Sequence, residues 1–360
     1  MWAGGLDQTC RMSRLTLMPG IPMTSRIPGL LAAAFAQRGD LMMRLHAEQT
    51  HAYRVFHGSV EGVPGLTVDR YGELLLVQSF HHSLEADDLA ALESFYAEVL
   101  PDAIPVYNDR SQPNSRIHNP LSPEHKVAAH LPRQIQELGV NYLIQARHEG
   151  QDPWLFLDLR AGRRRVMAEI AGKSLLNLFA YTCGVGVAAA KAGARFVVNV
   201  DFAESSLKIG KDNARMNDLP IRPRFLKSDV FAALRQFSGQ GQPKMVRGKY
   251  LPPFPPLEAQ QFDVVFLDPP RYAKSPFGVV DLVNDYAALF KPALLSTEVG
   301  GTLICTNNVA EVSAEVWLDQ LQRSARKAGR AIHAVEWIAP EADFPSQDGK
   351  PPLKMVLLRV

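Results

Sequence analysis

Apolar positions recur at helical spacing through IPGLLAAAFAQRGDLMMRLHAEQ (27–49), then give way to short alternating runs in AYRVFHGSVEGVPGLTVDRYGELLLVQSF (52–80). Glu61-Gly62, Pro64-Gly65 and Tyr71-Gly72 punctuate those runs, so the pattern predicts one helix followed by three short strands. A second helix, with Leu, Ala and Phe on one face, is expected over 85–99. IPVYND (104–109), GVNYLIQAR and PWLFLDLR (139–160) read as further strands. The expectation is an N-terminal tail and helix (1–50) followed by a small α+β domain (51–155).

From about residue 166 the rhythm changes to apolar strand, glycine loop, helix, strand ending in an acid, and helix again. That alternation builds a parallel, doubly wound sheet. The strands are expected at SLLNLFA (174–180), RFVVNVD (195–201), RPRFLKSD (222–229), FDVVFLD (262–268) and GTLICTN (301–307). The fold class is therefore α/β, a Rossmann-like sheet over 156–360 with a smaller α+β domain before it. FSGQGQPKMVRGKYLPPFPPLEAQQ (237–261), rich in proline and glycine and carrying Lys244, Arg247 and Lys249, reads as a surface loop between helix and strand.

Composition narrows the class without deciding it. At 360 residues, 46% hydrophobic and 21% charged, the chain is expected to fold as two domains and is not a disordered or fibrous sequence. A net charge of +2 permits a polyanionic partner only if the basic residues cluster. Cys10, Cys183 and Cys305 stand far apart, which argues against a disulfide framework and a zinc site and fits a reducing cytoplasm. His46, His51, His57, His81 and His82 lack ligand spacing, so no metal is expected. The start, MWAGGLDQTCRMSRLTLMPG, has no apolar core of signal-peptide length, and no later window is apolar enough to span a membrane. The first two dozen residues read as a loose tail, with Met18 and Met23 as candidate starts.

Three strand-terminal acids carry the chemistry. NLFAYTCGVGVAAAKAGA (177–194) sets Cys183-Gly184-Val185-Gly186 between strand and helix, where glycines let a ligand approach the backbone; tight strand–helix packing is the plain alternative. Asp201 closes the next strand, placed to accept two hydrogen bonds from a ribose diol. No third glycine follows, so a cofactor with a ribose but no pyrophosphate is favoured. Asp229 closes the third strand and could accept from an adenine amino group beside the Val230 amide, or simply cap the helix FAALRQF. In VVFLDPPRYAKSPFG (264–278), Pro269 and Pro270 fix φ and remove two donors, leaving Asp268 to face a cleft. Arg271, Tyr272 and Lys274 then offer charge and a stacking ring to a flipped-out base and its phosphates. RAGRRR (160–165) suggests phosphate contact through Arg160 and Arg163, with a solvated helix end as the alternative.

Taken in order, these motifs resemble the bacterial S-adenosylmethionine (SAM)-dependent 23S rRNA methyltransferases, which modify cytosine C5 or guanine N7. The likeness covers about residues 50–360, through AYRVFHGSVEGVPGLTVDRYG (52–72), LFLDLRAGR (155–163), NLFAYTCGVGVAAA (177–190) and FDVVFLDPPRYAKS (262–275). It implies SAM as cofactor, held by Phe179, Tyr181, Thr182, Gly184 and Gly186 in the loop and by Asp201, Phe202, Asp229, Val230 and Asp268 at the strand ends. It also implies 23S rRNA or a large-subunit assembly intermediate as substrate, with Asp268, Pro269, Pro270, Tyr272 and Asn308 at the transfer site. The family's leucine–aspartate–glutamine–arginine stretch is Leu157-Asp158-Leu159-Arg160 here, so a glutamine contact is lost. The residues before the match are too few for the RNA-binding PUA domain of some members.

The methylated atom turns on one cysteine. Carbon C5 of cytosine becomes nucleophilic only after a thiolate adds at C6, whereas a guanine ring nitrogen already presents a lone pair. In members resembling the cytosine enzymes the nucleophile follows the Gly-Gly turn at a spacing that Asn308 takes here, and Cys305 falls earlier, inside the strand. Thr306-Asn307-Asn308 is instead similar to the Ser-Asn-Asn of the guanine-N7 branch, whose amides can bond a base edge. Direct transfer to guanine N7 is thus expected, with Cys305 inert and Cys183 packed in the cofactor loop. Cytosine-C5 transfer through Cys305 stays open. So do a nicotinamide-dependent oxidoreductase, in which Asp268-Pro269-Pro270 would have no role, and a non-catalytic RNA-binding module.

Overall fold

The computed structural model describes residues 23–111, 122–146, 152–241, 245–246, 249–250, 254–272, 274–275 and 278–360. Two helices, α1 (Met23–Gln37) and α2 (Gly39–Ala47), stand where one was expected over 27–49. The break falls at Arg38, whose buried guanidinium turns back onto the Ala34 carbonyl at 2.9 Å and pairs with Glu61. Strands β1 (Ala52–His57), β2 (Leu66–Tyr71) and β3 (Leu74–Ser79) pair antiparallel. Helix α3 (Ala86–Val99) crosses over to β4 (Ile104–Asp109), which joins β3 in parallel. Beyond α4 (Pro123–His130), β5 (Arg133–Glu137) and β6 (Val140–Ile144) form a hairpin. Its two linking residues, Leu138 and Gly139, both have positive φ, the geometry that keeps twisted strands together across so short a turn.

PWLFLDLR is not a strand. A 3₁₀ turn (Leu157–Leu159) leads into helix α5 (Arg160–Glu169). Side chains, not a neighbouring ladder, satisfy its carbonyls: Thr182 Oγ1 donates to Trp154 O, Tyr71 OH to Leu155 O at 3.1 Å, and Arg163 Nη2 to Phe156 O at 2.9 Å. Pro153 and the left-handed Trp154 (φ 65°) bend the chain away from any sheet.

The second half forms one seven-stranded sheet. Its strands are β7 (Ser174–Leu178), β8 (Phe196–Asp201), β9 (Arg224–Lys227), β10 (Phe262–Leu267), β11 (Thr297–Asn307), β12 (Ala334–Trp337) and β13 (Lys354–Arg359). The order is β12-β13-β11-β10-β7-β8-β9, parallel except that β13 runs antiparallel to both neighbours. This is the expected Rossmann-like sheet, with two C-terminal strands added that the sequence reading did not place. Helices α6 (Gly184–Lys191), α7 (Glu204–Arg215), α8 (Val230–Phe237), α9 (Ala287–Leu295) and α10 (Ala314–Lys327) complete the αβ alternation. Every residue of β7 is buried, which is why it reads as an unbroken apolar run rather than an alternating one. The order reverses between β7 and β10, so their carboxyl ends flank the crevice where open α/β sheets bind ligands.

The two halves share a core. Tyr71, Leu74 and Leu76 of the four-stranded sheet, Tyr142 of the hairpin, and Cys183, Val187 and Leu207 of the larger sheet's loop and helices belong to one apolar cluster. Buried ion pairs reinforce the seam. Arg163 Nε and Nη2 bind Glu137 Oε1 and Oε2 at 2.5 and 2.8 Å, and Arg160 Nη2 binds Asp343 Oδ1 at 2.5 Å.

Candidate active site

The chain from β7 to α6 is forced into an unusual path. Phe179, Tyr181 and Cys183 have φ of 56°, 48° and 62°, so every second residue is left-handed although none is glycine. Such residues cost on the order of 1 kcal/mol or more each and persist only where the surroundings hold them. Here Tyr181 N donates to Asp201 Oδ2 at 2.8 Å, Ala180 N to Val200 O at 3.0 Å, and Cys183 N to Ala180 O at 2.7 Å. The loop curls over the end of β8 as a result. The glycines after it do different work: Gly184 borders the open space, whereas a Cβ on Gly186 would lie 1.9 Å from Asn199 Oδ1, so that glycine exists to let α6 pack on β8.

A cavity of about 640 Å³ opens at this rim. One end holds Asp201, Phe202 and Ser206; the other holds Asp268, Pro269, Pro270, Arg271, Tyr272 and Asn308. Asp152 and the segment misread as a strand (153–160) supply a wall through Asp152, Trp154, Phe156 and Asp158. No sequence periodicity marks this wall; its one signal was Pro153 at the head of the apolar run Trp154–Leu157.

Charge in the cavity is strained. Asp201 is 5% exposed, and burial pushes its pKa up while the Ala203 and Tyr181 N–H groups, each at 2.8 Å from one carboxylate oxygen, pull it back. Burial likewise lifts Asp268 to about 6, opposed by the Thr306 hydroxyl that donates to Oδ1 and aided by the nearby charge of Asp158. Asp158 is itself raised by burial, against the pull of Arg54 and Arg163.

The profile of a family described as S-adenosylmethionine-dependent methyltransferase matches residues 54–359. The chain belongs to that family. The relatives named "Ribosomal RNA large subunit methyltransferase I" include those of Shigella flexneri (27% identical, 82% of this chain and 70% of that one) and Aeromonas salmonicida (29%, 81% and 70%). Among solved structures, one described as a methyltransferase complexed with SAH superposes with a TM-score of 0.74 at 21% identity, covering 94% of this chain and 82% of that one. A SAM-dependent methyltransferase from Streptococcus mutans gives 0.73 at 22%, covering 94% and 81%.

The methyltransferase's cavity fits SAM on its own chemistry. Asp201 accepts from the backbone N–H groups of Tyr181, Ala203 and Phe202, and a carboxylate's remaining lone-pair capacity is open to a ribose hydroxyl. Burial pushes the Tyr181 hydroxyl's pKa up beside the cavity, and a hydrogen bond with the Trp154 backbone pulls it back. Asp201, Phe202, Phe179, Tyr181, Thr182 and Gly184 all border the space and would hold the cofactor. Bound there, SAM supplies a methyl group made electrophilic by a sulfonium. Three expected cofactor contacts stand outside this space. Gly186 packs on Asn199; Asp229 Oδ1 caps α8, accepting from Phe231 N at 2.8 Å and Ala232 N at 3.2 Å; and neither Asp229 nor Val230 lines the cavity. The helix cap, open as an alternative in the sequence, is what the chain uses.

Asp268, Pro269, Pro270, Tyr272 and Asn308, the residues named for the transfer site, border the same cavity, and Tyr272 is 61% exposed. Arg271 borders the same space and reaches Glu311 at 3.3 Å. The Lys274 side chain lies outside the described residues. Arg160 and Arg163 are corrected: they are 0% and 2% exposed, and their guanidiniums are consumed by Asp343 and Glu137. Amphipathic spacing cannot distinguish a phosphate-binding arginine from one buried against an acid distant in sequence.

Of the two described thiols, neither lines the cavity. Cys305 lies inside the ladder, opposite Leu267 of β10 and Val356 of β13, fully buried, and burial drives its pKa far up. Cys183 is buried beneath the cofactor loop, its pKa also raised by burial. Among the described residues no cluster could hold a metal ion, and no helix is long and apolar enough to cross a membrane.

Proposed function

We propose that this methyltransferase modifies a base of large-subunit ribosomal RNA in the cytoplasm, by direct transfer to guanine N7. The relatives' name supplies the substrate class. The observation that carries the choice of atom is the contrast between Asn308, which lines the cavity beside Asp268, and Cys305, which is sealed within the sheet. Covalent addition at C6 needs a thiolate in the cavity, and burial holds the Cys305 thiol protonated. Direct transfer needs only an in-line base. Pro269 and Pro270 stiffen the edge that faces it, Tyr272 offers a stacking surface, and the Asn308 amide can donate to guanine O6 while N7 stays free.

A second reading is cytosine-C5 transfer, favoured because the enzyme whose name those relatives bear is a C5 methyltransferase. One experiment separates the two. Parent and Cys305→Ser are given large-subunit rRNA and labelled SAM, and the product nucleoside is identified by digestion and mass spectrometry. Labelled 7-methylguanosine from both, at turnover within a few-fold, is expected. Labelled 5-methylcytidine from the parent, with an inactive Cys305→Ser that still binds cofactor, would overturn the reading.

A further inference from the structure

Asp158 is a carboxylate that the fold leaves without work. The two arginines whose charge it feels are already satisfied elsewhere: Arg54 by Asp69, at 2.8 and 2.9 Å, and Arg163 by Glu137. Among the described residues no other side chain hydrogen-bonds it, and only its own backbone N–H leans on the carboxylate. It is half-buried, and it borders the cavity. A carboxylate in such a place costs free energy unless something donates to it. Its position within the cavity is also informative. Its charge acts on Asp268, at the transfer end, and does not figure among the influences on Asp201, at the ribose end.

We propose that Asp158 selects guanine, its two oxygens accepting from the N1–H and the N2 amino group of the base presented to Asp268 and Asn308. Among the four bases, guanine alone offers two adjacent donors on its pairing edge. Cytosine and adenine set a ring-nitrogen acceptor beside their amino group, which a carboxylate repels, and uracil offers one N–H between two carbonyls. Phe156 and Tyr272, both partly exposed on the cavity, give such a base apolar faces to stack on. The 3₁₀ turn that carries Asp158 is anchored by Leu157 and Leu159, both buried, so the carboxylate is presented by a fixed element.

This inference rests on the guanine reading above and deepens it. Once the modified nucleotide has been mapped, a hairpin RNA is synthesised with guanosine or inosine at that position; inosine keeps O6, N7 and N1–H and lacks only the N2 amino group. The parent should favour guanosine in kcat/KM by about ten- to a hundredfold, as expected for one charge-assisted hydrogen bond. In Asp158→Ala and in the nearly isosteric Asp158→Asn that preference should shrink to within about threefold, with the affinity for S-adenosylhomocysteine unchanged. A parent that does not discriminate, or variants that keep the parent's ratio, would overturn the assignment. Loss of S-adenosylhomocysteine binding with the ratio intact would overturn it too, by assigning the carboxylate to the cofactor. A 5-methylcytidine product in the parent would show that the underlying guanine reading has failed, before any variant is made.

Discussion

Removing the Asp201 carboxylate tests the cofactor site most directly. In the Asp201→Ala variant two ribose acceptors vanish from a position only 5% exposed. Hydrogen bonds to a charged partner contribute roughly 1.5–3 kcal/mol each, and water entering the emptied space returns part of that, so a loss of about 2–4 kcal/mol is expected. That corresponds to a dissociation constant roughly 30- to 700-fold weaker. The substitution also orphans Tyr181 N and Ala203 N, both now 2.8 Å from the carboxylate, and so loosens the left-handed loop. The two effects can be separated by titrating parent and variant calorimetrically with S-adenosylhomocysteine and with its 2′-deoxy analogue. The parent should bind the deoxy analogue about tenfold more weakly, and the variant should bind both alike. An unchanged dissociation constant, or a deoxy penalty that survives in Asp201→Ala, would mean that the acid holds the loop and never touches the ribose.

Arg163→Ala should destabilise the protein by about 3–5 kcal/mol in denaturant, because it leaves Glu137 charged and fully buried; a stable variant that merely binds RNA less well would restore the phosphate-contact reading. Asp268 gives a pH signature. The free carboxyl titrates near 3.9, the folded one at about 6, so between those values the folded protein holds the extra proton and stability falls as pH rises. Above pH 6 the cost is complete and amounts to at most about 2–3 kcal/mol. Asp268→Asn, which can still accept from Thr306, should flatten the melting temperature between pH 4 and 6, exceed the parent's stability at pH 8, and lose methyl transfer. A variant that keeps the parent's slope would show that burial does not strain this carboxyl.

The sequence alone determined the Rossmann-like sheet, because parallel strands covered on both faces must read as continuous apolar runs, and β7, β8 and β10 do. It also placed the residues of the rim. Asp201, Asp268 and Asn308 stand at strand ends, and strand ends in an open sheet converge on one crevice whatever the loops do. The buried placement of Cys305 within the strand followed from the same regularity, since counting along a strand survives folding. Only the tertiary structure decided the rest. Arg160 and Arg163 carry the same local signal as surface arginines, and their fate depended on Asp343 and Glu137, acids that no local pattern connects to them. For Gly186 and Asp229 tertiary structure decided the packing on Asn199 and the helix cap, because both demand the same residue types as ligand binding does. Residues 152–159 were illegible for a related reason. Their backbone is satisfied by Thr182, Tyr71 and Arg163 from three separate parts of the chain, so no periodicity in their own sequence records that they fold into a wall of the cavity rather than a strand.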